Sequence, residues 1–439
     1  MKLHWVSLGC VKNQVDSEWM KARCRDAGWR LVDTPREADT IVVNTCGFIE
    51  AAVSESIDTI LDLARWKTEG TCRALVVIGC LVERYRQTLQ ELLPEVDLFV
   101  GTAGFDRIVP LIEMAEDLHG CYLPTIERID AGSPAPERRL PPSRSAYIKI
   151  AEGCNRHCTY CIIPRLRGRQ KSRAREAIVS EARQLIDAGA QEVILVAQET
   201  TAYGCDLEED PRLADLLAAL AALSEGVWIR FLYGHPETID ERLIDTVREI
   251  PHVLPYFDIP IQHGSDRILR RMGRGYGNKD IVRLIDSIRE RIPEAVVRTT
   301  VITGFPGERR ADFQSLLDLV RQLRFEHLGV FVYSDAEDLP SHRLSDPVSK
   351  RTAQTRKDRL MALQMDISRQ WLTSFMHRQL PVLVEQRIED GLYGARAWFQ
   401  APEVDGMVLV AAQELPIGSR IPVRITGSLD YDLLGETVS

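Results

Sequence analysis

Apolar, β-branched runs at residues 3–8, 40–43 and 74–78 alternate with stretches at 16–27 and 50–65 whose apolar positions recur at helical spacing. Strands alternating with helices predict a parallel sheet wound with right-handed crossovers over residues 1–120. The periodicity stops at 128–145, where Pro134, Pro136, Pro141 and Pro142 mark a linker. It resumes over 146–372 with strands at 146–150, 192–197, 228–233, 257–261, 296–302 and 327–333, ending in a polar helix at 350–374. Six such βα units predict a partial or complete parallel barrel with its chemistry at the carboxyl ends of the strands. Short β-rich runs at 380–386, 407–411 and 420–426, punctuated by Gly and Pro, predict a small antiparallel barrel over 373–439.

The composition is that of ordinary globular protein: 45% hydrophobic, 27% charged, with 28 Gly and 22 Pro in 439 residues. It excludes disordered, collagen-like and disulfide-stapled classes. A net charge of −9 disfavours a surface given over to nucleic acid but leaves room for local basic patches. The longest apolar runs, such as 74–80, are too short to span a membrane, and residues 1–10 do not read as a signal peptide. The expectation is a cytoplasmic protein without membrane association, whose ten cysteines stay reduced.

The strongest chemical signal is GCNRHCTYC, with Cys154, Cys158 and Cys161 just after the first barrel strand. Three thiolates so close in sequence suit an iron–sulfur cluster, and a four-iron cluster held by three leaves one iron open to chelate a ligand such as S-adenosylmethionine. A zinc site completed by His157 or a distant residue is the alternative. Cys10, Cys46 and Cys80, in SLGC, VNTC and VIGC, each follow a predicted strand. In a parallel sheet those ends lie side by side, so the three converge on one crevice and suit a second cluster. Inert buried thiols are the alternative there. Cys24, Cys72, Cys121 and Cys205 share no such geometry and read as structural thiols.

SLGCVKNQVDSE, VVNTCGF and VIGC, AEGCNRHCTYCIIPRLRG, AQETTAYG, YFDIPIQHGSDRILRRM, TVITGFPGE and EDGLYGARAWFQAPEVDGMV together resemble the radical S-adenosylmethionine methylthiotransferases along nearly the whole chain. Within that family the chain is most similar to the branch that modifies an aspartate of small-subunit ribosomal protein twelve, with the tRNA-adenosine branch as the near alternative. The resemblance implies an α/β chain. It has a flavodoxin-like parallel-sheet domain, a radical SAM partial (β/α)6 barrel and a terminal TRAM β-barrel. It further implies a 4Fe-4S cluster on Cys154, Cys158 and Cys161 that cleaves S-adenosylmethionine, and an auxiliary 4Fe-4S cluster on Cys10, Cys46 and Cys80 that carries the sulfur. A deoxyadenosyl radical would take hydrogen from the aspartate β-carbon, and an external electron donor is required. Two departures stand out: YSDAEDLPSH lacks the EEGT-like run expected after the last barrel strand, and Ala174 replaces a frequent proline.

For the S-adenosylmethionine pocket the candidates are Tyr160 inside the cluster loop, Gln198 and Thr200 (with Thr201) after the second barrel strand, and Gly304 in the 304–308 segment after the fifth. Arg298, along the fifth strand, is a candidate for the methionine carboxylate. Ordinary packing and turn roles are the alternatives for each. The basic run 164–173 reads either as a nucleic-acid patch or as a solvated loop. Residues 377–439 carry five arginines against nine carboxylates, which favours docking of a basic ribosomal protein through this domain and does not favour nucleic acid as substrate.

Overall fold

The computed structural model describes residues 1–115, 119–129 and 136–438. Six strands, rather than the three read from periodicity, form the amino-terminal sheet. They are β1 (Lys2–Ser7), β2 (Arg30–Leu31), β3 (Thr40–Thr45), β4 (Ala74–Gly79), β5 (Leu98–Val100) and β6 (Gly120–Tyr122). All pair in parallel, in the order β2-β1-β3-β4-β5-β6. β3 and β4 are buried along their whole length, as continuous apolar strands covered on both faces should be. The three additional strands are two or three residues long, too short to carry a periodic signal. Strand order reverses between β1 and β3, so the crevice of an open parallel sheet lies at their carboxyl ends, where Cys10 and Cys46 follow.

Part of the predicted linker, residues 130–135 with Pro134, lies outside the described residues. Arg138, further along that stretch, is buried and ties the domains together through Glu18, Glu181 at 2.7 Å and the Tyr147 carbonyl at 2.8 Å. The central domain begins with β7 (Ser145–Lys149). A short antiparallel pair, β8 (Ala151–Glu152) and β9 (Lys171–Ser172), then brackets the cysteine loop. β10 (Glu192–Val196) and β11 (Trp228–Phe231) complete one parallel sheet, ordered β11-β10-β7. β12 (Tyr256–Asp258), β13 (Val296–Thr303) and β14 (His327–Val332) form the other, in that order. An isolated Ile229–Val253 bridge joins the two, giving six barrel strands with an opening between β7 and β14.

The helix Lys350–Thr373 leads into a closed barrel ordered β15-β16-β17-β19-β18. Its strands are β15 (Gln379–Glu389), β16 (Leu392–Ala397), β17 (Val408–Ala411), β18 (Arg420–Ser428) and β19 (Leu433–Thr437). The pairing is antiparallel except between β17 and β19, which run parallel. This small barrel packs against the amino-terminal ends of the central strands. There the fully buried Glu192 carboxylate takes Arg230 at 2.8 Å and Arg396 from β16. Asp405 caps the same end, accepting from Tyr256 Oη at 2.6 Å. No helix among the described residues is long and apolar enough to cross a membrane.

Candidate functional site

Each cysteine of the first trio is set by a glycine beside it. Gly9 has φ +87°, and a Cβ there would stand 2.6 Å from Cys46 Cβ and 3.1 Å from its Sγ, so the Cys10 loop lies directly on Cys46. A Cβ on Gly47 would meet the Cys80 carbonyl at 2.9 Å, and Gly79, at φ +104°, would strike the Asn44 side chain at 2.5 Å. Only glycine permits these approaches. The three thiols feel one another: burial raises Cys46 and Cys80, and the neighbouring thiolates, Cys10 for both and Cys46 for Cys80, raise them further. Cys80 is pushed to about 11. Cys10 moves the other way. Burial raises it, but the Lys12 ammonium, the Asn13 amide and Arg167 together bring it below the usual thiol value.

The second trio is held in the loop between β8 and β9. The Cys154 amide donates to the Gly168 carbonyl at 3.1 Å and the Cys161 amide to the Cys158 carbonyl at 3.1 Å. Gly153, at φ +77°, leaves no space for a Cβ, which would lie 2.2 Å from the Arg169 carbonyl oxygen. Burial, with the neighbouring thiolates of the trio, raises Cys154 to about 11 and Cys161 to about 12. Free thiols so perturbed are neutral at pH 7, and a cationic centre is what would hold them as thiolates.

The donor set fits iron–sulfur clusters better than a lone ion. Each trio is an all-thiolate set of three, as an iron–sulfur cluster takes, and among the described residues no three His, Cys, Asp or Glu side chains stand together as a single-ion site. His157 is exposed. Glu199, 3.9 Å from Cys154, is committed to Arg156 at 2.8 and 2.9 Å.

The trios are joined through buried charges. Arg167 donates to Cys80 Sγ at 3.3 and 3.4 Å, to Asp16 at 2.7 Å, to Glu152 at 3.3 Å and to Asn13. Lys149 bridges the same two carboxylates, pairing with Asp16 and with Glu152 at 2.6 Å. Gln198 donates to the other Glu152 oxygen at 2.6 Å.

Comparison with known proteins matches residues 148–320 to the radical SAM superfamily, 2–101 to the "uncharacterized protein family UPF0004" and 378–438 to the TRAM domain. The ribosomal protein uS12 methylthiotransferase RimO of Desulfosudis oleivorans is 52% identical over 99% of this chain and 100% of its own length. The chain belongs to the RimO family. RimO proteins of Lachnoclostridium phytofermentans and Clostridioides difficile are 43% and 41% identical, covering 99% and 100% of this chain and 99% of each relative. Among solved structures, the radical S-adenosylmethionine methyltransferase TsrM of Kitasatospora setae superposes with a TM-score of 0.59 over 78% of this chain and 76% of its own. At 15% identity that likeness speaks for the fold alone.

Within this RimO-family fold the weaker candidates separate. Tyr160 stands edge-on to Phe305 with centroids 6.3 Å apart and has Arg274 5.8 Å from its ring. Gln198 Oε1 is buried without a partner, which leaves an acceptor for a bound molecule. The Thr200 hydroxyl accepts from the Ala197 amide at 2.9 Å, a turn role. Gly304 (φ +79°) serves packing: a Cβ there would lie 2.3 Å from Ala353 Cβ on the helix Lys350–Thr373. Arg298 sits near the amino-terminal end of β13, divided between Asp258 at 3.2 Å and Asp405 at 3.4 Å. The basic run is neither a nucleic-acid patch nor a solvated loop throughout, because Arg167 and Arg173 are buried against Asp16 and Glu181. Sequence reasoning passed over Lys12, Asn13, Asp16, Lys149 and Glu152. Their signal was an unusual density of polar residues around both cysteine loops.

Proposed function

We propose that this chain is a cytoplasmic ribosomal protein methylthiotransferase that converts a β C–H of an aspartate in ribosomal protein uS12 to C–S–CH3. Two cysteine trios, each set by glycines and linked through one buried charge network, carry that reading together with the full-length likeness to RimO proteins. Cys154, Cys158 and Cys161 would hold one 4Fe-4S cluster and Cys10, Cys46 and Cys80 the other. When bound, these clusters and S-adenosylmethionine would supply the electron for homolysis, the sulfur and the methyl group.

The chain's own residues bind and orient. Tyr160, with Arg274 over its ring, would wall the S-adenosylmethionine pocket, and Gln198 Oε1 would accept from the bound molecule. Thr200 and Gly304 would shape the turn and the loop behind it. Arg298 we assign to orienting Asp258 and the small barrel rather than to gripping the methionine carboxylate, since two carboxylates already occupy it. Arg167 would keep the Cys80 thiolate charge-paired.

Docking would use the exposed carboxylates of the terminal barrel. Glu385 and Asp405 are turned inward to Arg396 and to Tyr256, while Glu389, Asp390, Glu403, Glu414 and Glu436 stay exposed toward a basic partner. An external electron donor is required, and nucleic acid is not the expected substrate. The decisive experiment is mass spectrometry after anaerobic turnover with uS12 and with tRNA. Methylthiolated aspartate is the expected product. A modified adenosine beside untouched uS12 would overturn the proposal, as would reconstitution that saturates at about four rather than about eight irons.

A further inference from the structure

Lys12 lies in the first turn of the helix Val11–Asp26, two residues after Cys10, and only 9% of it is exposed. Its ammonium sits 3.3 Å from the centroid of the Tyr233 ring, beyond the end of β11 at the barrel mouth. Among the described residues no carboxylate comes within 4.0 Å of it. Burying an ammonium without a counter-ion is costly, and an aromatic face offsets only part of that cost. The neighbouring anions are spoken for. Asp258 accepts from the Tyr233 amide at 2.9 Å and pairs with Arg298 at 3.2 Å, while Asp16 pairs with Lys149 and Arg167.

We propose that Lys12 receives the side-chain carboxylate of the substrate aspartate and so sets the preference for aspartate over its amide. The inference rests on the reading of a protein aspartate as substrate. A β-carbon that reacts between the two cysteine trios carries its carboxylate one bond away. Lys12 is the buried cation beside Cys10 that no carboxylate among the described residues pairs with. The Tyr233 ring holds the ammonium in place before substrate arrives, so little side-chain entropy is lost on binding. Lys12 is thus a specificity residue for this reaction, apart from its effect on the Cys10 thiol.

The test is equilibrium binding of two synthetic peptides spanning the uS12 target, one with the aspartate and one with asparagine, to the reconstituted full chain. The wild type should bind the aspartate peptide roughly tenfold to a hundredfold more tightly. Lys12→Met should bind the two alike, and Lys12→Arg should retain a preference. A role confined to the auxiliary cluster would shift that cluster's midpoint potential in Lys12→Met and leave the aspartate preference intact, which overturns the assignment. Should Lys12→Met fail to load iron, the wild type decides alone, because equal binding of both peptides refutes the idea. Methylthiolation of neither peptide would sink the substrate reading itself. Methylthiolation of the aspartate peptide, with the preference preserved in Lys12→Met, would remove only Lys12.

Discussion

Replacing Arg167 with Met should loosen the amino-terminal domain from the central barrel more than any surface substitution would. The guanidinium is buried, with 3% of its side chain exposed, and it serves Asp16 and Asn13 of one domain, Glu152 of the other and the Cys80 sulfur. Without it, Asp16 and Glu152 are left to Lys149 alone, two buried carboxylates against one ammonium. Removing one partner of a buried ion pair costs about 3–5 kcal/mol, and even the lower figure is roughly a hundredfold in an opening equilibrium. Native-state hydrogen exchange reads this locally. Amides of the helix Val11–Asp26 should exchange about a hundred times faster in Arg167→Met, while those of β17 stay unchanged. Arg212→Met is the control. Arg212 pairs with Asp210 where both side chains are about half exposed, 47% and 52%, and its loss should stay within about 0.5 kcal/mol. Equal effects for the two substitutions would refute the view that this buried network clamps the domains.

Gly9→Ala forces a Cβ to within 2.6 Å of Cys46 Cβ at φ +87°, so iron after reconstitution should fall from about eight to about four per chain with the cluster at Cys154, Cys158 and Cys161 retained; full loading would contradict the placement of Cys10 against Cys46. Burial raises Glu192, but Arg396 and Arg230 overcome it and hold the carboxyl at about 2, against 4.5 for a free glutamate. A lowered acid contributes stability that is complete above 4.5 and vanishes as pH falls toward 2, here about 3 kcal/mol, so acid titration followed by exchange should release the small barrel in that window; Glu192→Gln should abolish that pH dependence. Gly304→Ala meets Ala353 Cβ at 2.3 Å and should lower the melting temperature by several degrees, a shift of about 1–3 kcal/mol, whereas an unchanged midpoint would show that the helix Lys350–Thr373 shifts freely.

What periodicity made legible was whatever buries apolar residues in regular alternation. β3, β4 and the six barrel strands are long enough, or sufficiently buried on both faces, to stand out in the sequence. β2, β5 and β6 were missed because two or three residues carry no period, yet β2 is the strand that places the switch point between β1 and β3. The grouping of Cys10, Cys46 and Cys80 was read from strand ends that converge in a parallel sheet, and that of Cys154, Cys158 and Cys161 from their close spacing. The surroundings of Arg298 and Gly304 were not legible for another reason. Their partners, Asp405 and Ala353, lie far along the chain, and no local pattern reports that a cation is already paired or that a glycine faces a helix.

The helix Val11–Asp26 carries the same lesson into function. Apolar spacing suggests a start at residue 16, but the helix begins at Val11, and its first turns hide from periodicity because they bury Lys12, Asn13, Asp16 and Ser17 beside a single apolar Val15. Cys10, Asn13 and Asp16 recur every third residue and so share one face, where they meet the crevice at the strand ends, Arg167 and Lys149 in turn. A helix built for stability alone would place leucines there. Buried polar groups persist in a fold only where partners satisfy them: in this helix Asn13 and Asp16 find theirs in the central domain and Ser17 in its own, while the Lys12 ammonium meets the Tyr233 ring and no carboxylate among the described residues. The segment least like a helix by periodicity therefore ties the Cys10 loop to the central domain through Asn13 and Asp16, and its Lys12 ammonium is the charge we propose that substrate matches.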